Sequence, residues 1–363
     1  MTFFKSWVAA WGCMACAMVM AQSSTSTAPQ APMVVGAGAT FPAKVYQQWT
    51  QAYGPVNQPA VAYRPSGSSA GVRQVVAREV DFGASDVPLP AAELDKRGLF
   101  QFPTLVGGIV PVVNLPGVPA GALRLDAPTL ATIFAGKIER WSDPAIRALN
   151  PSLALPSLPI VRVVRADGSG TTEVFVRFLR ESAREQAAPI EPQGGKAQWP
   201  GQVLAVEGSS KLSAAVKATP GAIGYVSSDY LVRDGLSGTR LRNRRGEWAE
   251  PSVQGFKRAI VATGLFRHDL EPVSLLNVDG VGVWPIVTAT YVLVPREPAS
   301  VQRAARTLHF FYQSFLMGDK AVAGSGFAPL PAATQARIVA LLSDFRTPSG
   351  QRVPVLAVGA DRP

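Results

Sequence analysis

Three features of the sequence predict an α/β fold of two lobes, with mixed sheets and two crossover strands. Short apolar runs alternate with segments of helical period along most of the chain, which is the pattern of an α/β architecture. Two of those runs, residues 105–114 and 283–294, are long and far apart in sequence, and they are read as crossovers between the lobes. Small residues and glycines stand at three strand-to-helix junctions, 36–42, 63–71 and 165–172. The first lobe is drawn from both ends of the chain, residues 36–110 with 280–363, and the second from residues 111–279.

Strands are predicted at residues 33–35, 61–63, 105–114, 160–164, 222–226 and 283–294, where Val, Ile and aromatic residues gather between turn signals. The alternation with helices favours parallel pairing. Helices are predicted at 42–53, 70–78, 129–134, 171–184 and 301–316. Pro42 suits the first turn of its helix, where a missing N–H costs nothing, and Ser68 or Ser69 suits the N-cap of the next. In the last helix Val301, Ala305, Leu308, Tyr312 and Phe315 recur at steps of four and three, giving one apolar stripe. Residues 346–363 are rich in Pro, Gly and Arg and are read as a surface extension.

The 363 residues are 47% hydrophobic and 17% charged, with 33 Gly and 31 Pro, a balance that excludes wholesale disorder, collagen and coiled coil. A formal net charge of +10 favours anionic ligands or acidic surfaces without choosing among them. Residues 1–21 carry one charge, Lys5, then an apolar run from Trp7 to Met20 and the ending Val19-Met-Ala21. This is the pattern of a secretory signal peptide cut after Ala21, and the run falls short of the ~20 residues a membrane-spanning helix takes. Residues 22–35 then read as a flexible leader and the first strand. Both cysteines, Cys13 and Cys16, lie in the segment to be removed, and neither follows the Leu-small-small triplet of lipoprotein processing. The exported chain therefore has no thiol for a disulfide, a nucleophile or a metal.

The three junctions carry the chemistry. Gly36-Ala-Gly-Ala-Thr-Phe-Pro42, Tyr63-Arg-Pro-Ser-Gly-Ser-Ser-Ala-Gly71 and Arg165-Ala-Asp-Gly-Ser-Gly-Thr-Thr172 each lead from a strand into a helix. Free amides at such a helix start can face an anion, and if the three converge they form the crevice in which open α/β sheets bind ligands. None contains the Gly-Lys-Ser or Gly-Lys-Thr of a nucleotide phosphate loop.

GAGATFP at 36–42, GSSAG at 67–71, VDFGASDVPL at 80–89, FQFPTLVGGIVPVVNLPG at 100–117, IFAGKIERWSDPAIRALNP at 133–151, RADGSGTT at 165–172 and TPGAIGYV at 219–226 resemble, in order, the periplasmic phosphate-binding proteins of bacterial phosphate ABC transporters. The resemblance implies a two-lobed type II periplasmic binding protein that closes on inorganic phosphate and delivers it to an ABC permease. It also implies a ligand set: Thr40, the backbone of Phe41, Ser68 and Asp86 from the first lobe, and Arg165, Ser169, Gly170 and Thr171 from the second, with Asp167 holding the Arg165 guanidinium. Such a set is chemically coherent, since arginine offers a fixed fork of donors while hydroxyls, amides and helix N-termini saturate the remaining oxygens. On this reading the protein is a periplasmic monomer and no enzyme, with no catalytic residue, no cofactor, no metal and no nucleic-acid partner.

The chain departs from the family pattern at three places. Trp199-Pro-Gly-Gln-Val-Leu-Ala-Val-Glu-Gly-Ser-Ser210 replaces a glycine-rich stretch, Ser227-Ser-Asp-Tyr230 stands where Glu-Tyr-Ala-Tyr is common, and Pro65-Ser66 replaces Gly-Ile. These changes fall on the rim and the permease-facing surface rather than on the implied contacts. Two other readings compete: an exported phosphate sensor or surface scaffold with the same pocket, and a secreted serine hydrolase in which Gly67-Ser-Ser-Ala-Gly71 presents Ser69 as nucleophile. The hydrolase lacks a base, because the chain has only His268 and His309, and His309 belongs beside the apolar stripe of its helix. Two histidines do not make a zinc site. The run Arg240 to Arg245 reads as a solvated hairpin turn around Asn243-Arg-Arg-Gly246.

Overall fold

The computed structural model describes residues 34–53, 60–264, 271–317 and 319–358. The expected signal segment and leader, His268 and the last five residues lie outside that range.

The frame is an antiparallel pair running through the middle of a ten-stranded sheet. Its outgoing strand, Leu99–Val113, is the longest among the described residues and is buried from Phe102 onward. The return strand, Val287–Pro295, pairs with it from Val287 opposite Gly108 to Pro295 opposite Leu99. Beyond Gly108 the outgoing strand changes partner, and Ile109–Val113 pair antiparallel with Ala222–Ser227. Two glycines mark the exchange because aromatic rings lie flat against the backbone there: a β-carbon on Gly107 would meet Phe327 at 2.5 Å and one on Gly108 would meet Phe256 at 2.3 Å. The pair slips register between Thr290 and Tyr291. Pro103 opposite has no N–H to give, so the ladder breaks and Thr104 is left over as a bulge.

The sheet is mixed, as expected, and its parallel pairing is confined to the two ends. At one end Val34–Gly38 lies between Val61–Pro65 and Phe82–Ser85, all parallel. At the other, Val161–Arg165 lies parallel to both Ala222–Ser227 and Leu204–Val206. Helices Ala43–Tyr53, Ser68–Val76, Ala127–Phe134, Gly170–Ser182 and Val301–Met317 stand where helical periodicity placed them, within a few residues. Pro42 precedes its helix, and its carbonyl accepts from Tyr46 N at 2.9 Å. Gly67, with φ of 92°, caps the next helix without any side-chain bond, so neither Ser68 nor Ser69 is the cap.

Each end of the sheet has its own aromatic core. Phe311 lies edge-on to Phe82 and Phe102 at 5.0 and 5.4 Å, with Tyr46 at 6.1 Å. At the other end Phe175 stacks on Tyr225 at 4.4 Å and meets Phe134 edge-on at 4.9 Å. The helix Val301–Met317 buries Leu308, Phe310, Phe311 and Phe315, a wider face than its periodic stripe. His309 is buried as well, and its ring nitrogens bond Tyr53 Oη at 2.8 Å and Gln313 Nε2 at 3.2 Å.

The tail is mostly exposed up to residue 358, as expected, but it folds back and is anchored through Val353 and Val355. Arg346 bridges to Arg352, and Phe345, Val353 and Val355 are buried in the main core. A helix not foreseen, Ala332–Ser343, packs against Val301–Met317 and supports this return. The arginine-rich hairpin forms as expected between Arg240–Arg242 and Trp248–Ala249. Trp248 sits under Arg124 and Arg242 at 5.6 and 6.0 Å, while Arg240 pairs with Glu250 and Arg245 with Asp279.

Candidate anion-binding site

The three glycine-rich junctions meet. Gly38, at φ 140°, brings the first loop so close to the strand Phe82–Ser85 that a β-carbon would lie 2.2 Å from the Ala84 carbonyl oxygen. Gly67 N donates to Gly38 O at 2.8 Å, tying the second loop to the first. The third loop approaches from the far end of the sheet: Ser69 N donates to Gly168 O at 3.2 Å, and a β-carbon on Gly170 would lie 2.6 Å from Ser68 Oγ. Glycine at these points is what lets the backbones touch.

Arg165 ends the strand Val161–Arg165 and is only 3% exposed. Its Nε donates to Asp167 Oδ1 at 2.6 Å, and its Nη2 forms an ion pair with Asp167 Oδ2. Nη1 donates to Thr40 Oγ1 at 3.1 Å and to Ser209 Oγ at 2.9 Å. Burial works against a charge on Asp167, but the Arg165 guanidinium and the Gly208 amide hold its carboxyl below the ordinary range. The ion pair therefore fixes the arginine fork instead of leaving it to swing. Ser169 caps the helix Gly170–Ser182 by accepting from Thr172 N at 3.2 Å, which leaves its own proton to donate, and Thr171 is buried in the first turn.

Asp86 is 1% exposed. Its main-chain N–H donates to Ser68 Oγ at 3.4 Å, its Oδ1 accepts from Thr290 Oγ1 at 2.8 Å, and its carbonyl accepts from Thr288 Oγ1 at 2.8 Å. Burial raises its carboxyl to about 7, although Thr290, Arg165 and Thr171 pull it down. All eight residues of the implied set thus gather in one place. The ring of Phe41 is spent in the core against Phe327 at 5.0 Å, which leaves only its main chain for the site.

Three neighbours escaped the sequence reading. Ser209 stands in the first turn of the helix Gly208–Ala218, and Gly208-Ser-Ser repeats the Gly67-Ser-Ser that opens the earlier helix. That repeated tripeptide was the available signal. Thr288 and Thr290 alternate along the return strand and so share a face, but nothing local tells which partner they meet. The hydroxyl of Ser69 donates to Gly194 O at 3.3 Å, and His309 is held by Tyr53 and Gln313, so neither is oriented as a nucleophile and its base.

Two groups of parallel strands joined by an antiparallel crossing pair, with loops from both groups converging on a buried arginine, define a type II periplasmic binding protein fold. Residues 23–314 match the family model described as a PBP superfamily domain. The chain is 36% identical over 318 residues to the phosphate-binding protein PstS of Xylella fastidiosa (strain Temecula1), covering 86% of this chain and 87% of that one. It is likewise 36% identical over 304 residues to the phosphate-binding protein PstS of Haemophilus influenzae, covering 84% and 90%. The chain belongs to the phosphate-binding protein PstS family. A solved phosphate-binding protein from Stenotrophomonas maltophilia, 21% identical, shares the fold with a TM-score of 0.67 over 91% of this chain and 98% of that one.

Proposed function

We propose that the protein captures inorganic phosphate between two lobes, residues 36–110 with 280–363 and residues 111–279, and hands it to the permease of an ABC transporter. The observation that carries the reading is the buried Arg165, pinned by Asp167 and surrounded by hydroxyls and helix-start amides, with one carboxylate, Asp86, set among them. Many donors and a single acceptor suit a tetrahedral oxyanion that still carries a proton. Thr40, the Phe41 amide, Ser68 and Asp86 would hold it from one side, and Arg165, Ser169, Gly170 and Thr171 from the other. Export through a signal peptide cut after Ala21 would place the chain in the periplasm as a monomer. No helix among the described residues is long and apolar enough to cross a membrane. Calorimetric titration with phosphate, arsenate and sulfate tests the reading: phosphate should bind tightly without turnover, and heat with sulfate alone would overturn it.

A further inference from the structure

Arginine carries five N–H groups, and at Arg165 four of them are engaged by protein. One on Nε and one on Nη2 go to Asp167, and the two on Nη1 go to Thr40 Oγ1 and Ser209 Oγ. The two hydroxyl oxygens also lie 2.7 Å from each other, so one of them donates to the other. Two hydroxyls have two protons between them. One closes the Thr40–Ser209 bond, and the other has no acceptor within the triad. Ser209 is 2% exposed, and a buried donor left without an acceptor is costly. The triad thus has one hydroxyl proton to spare, and Arg165 one Nη2 hydrogen.

Ser209 also joins parts that are distant in the chain. Gly208 N donates to Asp167 Oδ1 at 2.9 Å, so the helix that carries Ser209 is anchored on the same ion pair that fixes Arg165. Thr40 belongs to the loop after Val34–Gly38, at the opposite end of the sheet. We infer that Ser209 is a positioning residue for the anion: it draws the Thr40 loop onto Arg165 and turns a surplus hydroxyl proton towards the ligand. The inference rests on the phosphate reading above and adds a residue to it.

The test is calorimetric titration of the full chain with inorganic phosphate, alongside thermal unfolding with and without phosphate, for the unsubstituted protein, Ser209→Ala and Ser209→Cys. Cysteine fills the same space, but its S–H is a weak donor and its sulfur a weak acceptor. Both variants should bind phosphate about ten- to a hundredfold more weakly, the effect of losing hydrogen bonds to charged groups. Unfolding without phosphate should fall modestly in Ser209→Ala, where Arg165 Nη1 loses a buried acceptor, and in both variants the rise produced by phosphate should shrink as well. Full affinity in Ser209→Cys would show that packing matters and not hydrogen bonding, and would overturn the inference. So would Ser209→Ala with unchanged affinity and a lower unfolding temperature. Absence of phosphate binding by the unsubstituted protein would instead strike the functional reading itself, and the inference with it.

Discussion

Replacing Asp86 with asparagine should erode the distinction between phosphate and sulfate. Phosphate near neutral pH keeps a proton that an ionised Asp86 can accept, and a charge-assisted bond of this kind contributes about 1.5–3 kcal/mol. Sulfate has no proton to offer, so two acceptors face each other in a site where Asp86 is 1% exposed, at a further cost of about 1–3 kcal/mol. The sum corresponds to about two to four orders of magnitude in relative affinity. An asparagine amide supplies an N–H to either anion and removes the like charge, so most of that ratio should vanish through tighter sulfate binding. Acid should have a similar effect on the unsubstituted protein. Burial lifts Asp86 to about 7, so the carboxyl gains a proton as the pH falls through that value and becomes a donor. Sulfate should then bind better at acid pH than at alkaline pH, and in Asp86→Asn this dependence should flatten. Competitive titrations with both anions across that interval measure both effects. A selectivity that is untouched by the substitution would refute the idea that Asp86 reads the ligand proton.

Other expectations follow from neighbouring contacts. Thr290→Val removes the hydroxyl that bonds Asp86 Oδ1 at 2.8 Å, a bond that lowers the Asp86 pKa. The pH midpoint of sulfate binding should therefore move upward, and denaturant melts should show a loss of about 1–3 kcal/mol for the orphaned oxygen. An unmoved midpoint would remove Thr290 from the selectivity argument. Ser68→Ala should weaken phosphate binding by about 1–3 kcal/mol, whereas Ser69→Ala, whose hydroxyl meets only a carbonyl on Gly194, should leave calorimetric affinity alone. Labelling of Ser69 by a serine-directed covalent inhibitor would revive the hydrolase. Solution scattering should show the protein becoming more compact on saturation with phosphate, because contacts on both sides favour the closed population; identical profiles would count against closure.

What was legible in the sequence was local. A strand, a glycine-rich turn and a helix start occupy consecutive residues, so the loops around Thr40, Ser68 and Arg165 could be placed without knowing what surrounds them. Ser209 and Thr290 could not, because each acquires its role from a partner 44 and 204 residues away, Arg165 and Asp86 respectively. Composition was only partly right at the tail. Proline, glycine and arginine suggested exposure, yet Phe345, Val353 and Val355 find room in the core because the helix Ala332–Ser343, invisible as a stripe, brings them back. Parallel pairing at the two ends was readable from alternation, while the antiparallel centre was not, since two apolar runs carry no mark of relative direction.

The antiparallel central pair has a consequence for how such a chain is made. Residues Leu99 and Pro295 are neighbours in the sheet although 295 − 99 = 196 positions separate them, and Gly108 and Val287 are 287 − 108 = 179 apart. A polypeptide emerging from its N-terminus must thus add some two hundred residues after Leu99 before the middle of its first sheet can close. Until then the outgoing strand presents an open edge, and pairings over such separations form slowly. Delayed closure leaves the middle of the sheet unpaired through most of synthesis, and a C-terminal truncation before residue 287 leaves the strands Phe82–Ser85 and Leu99–Gly108 without the partner that joins them.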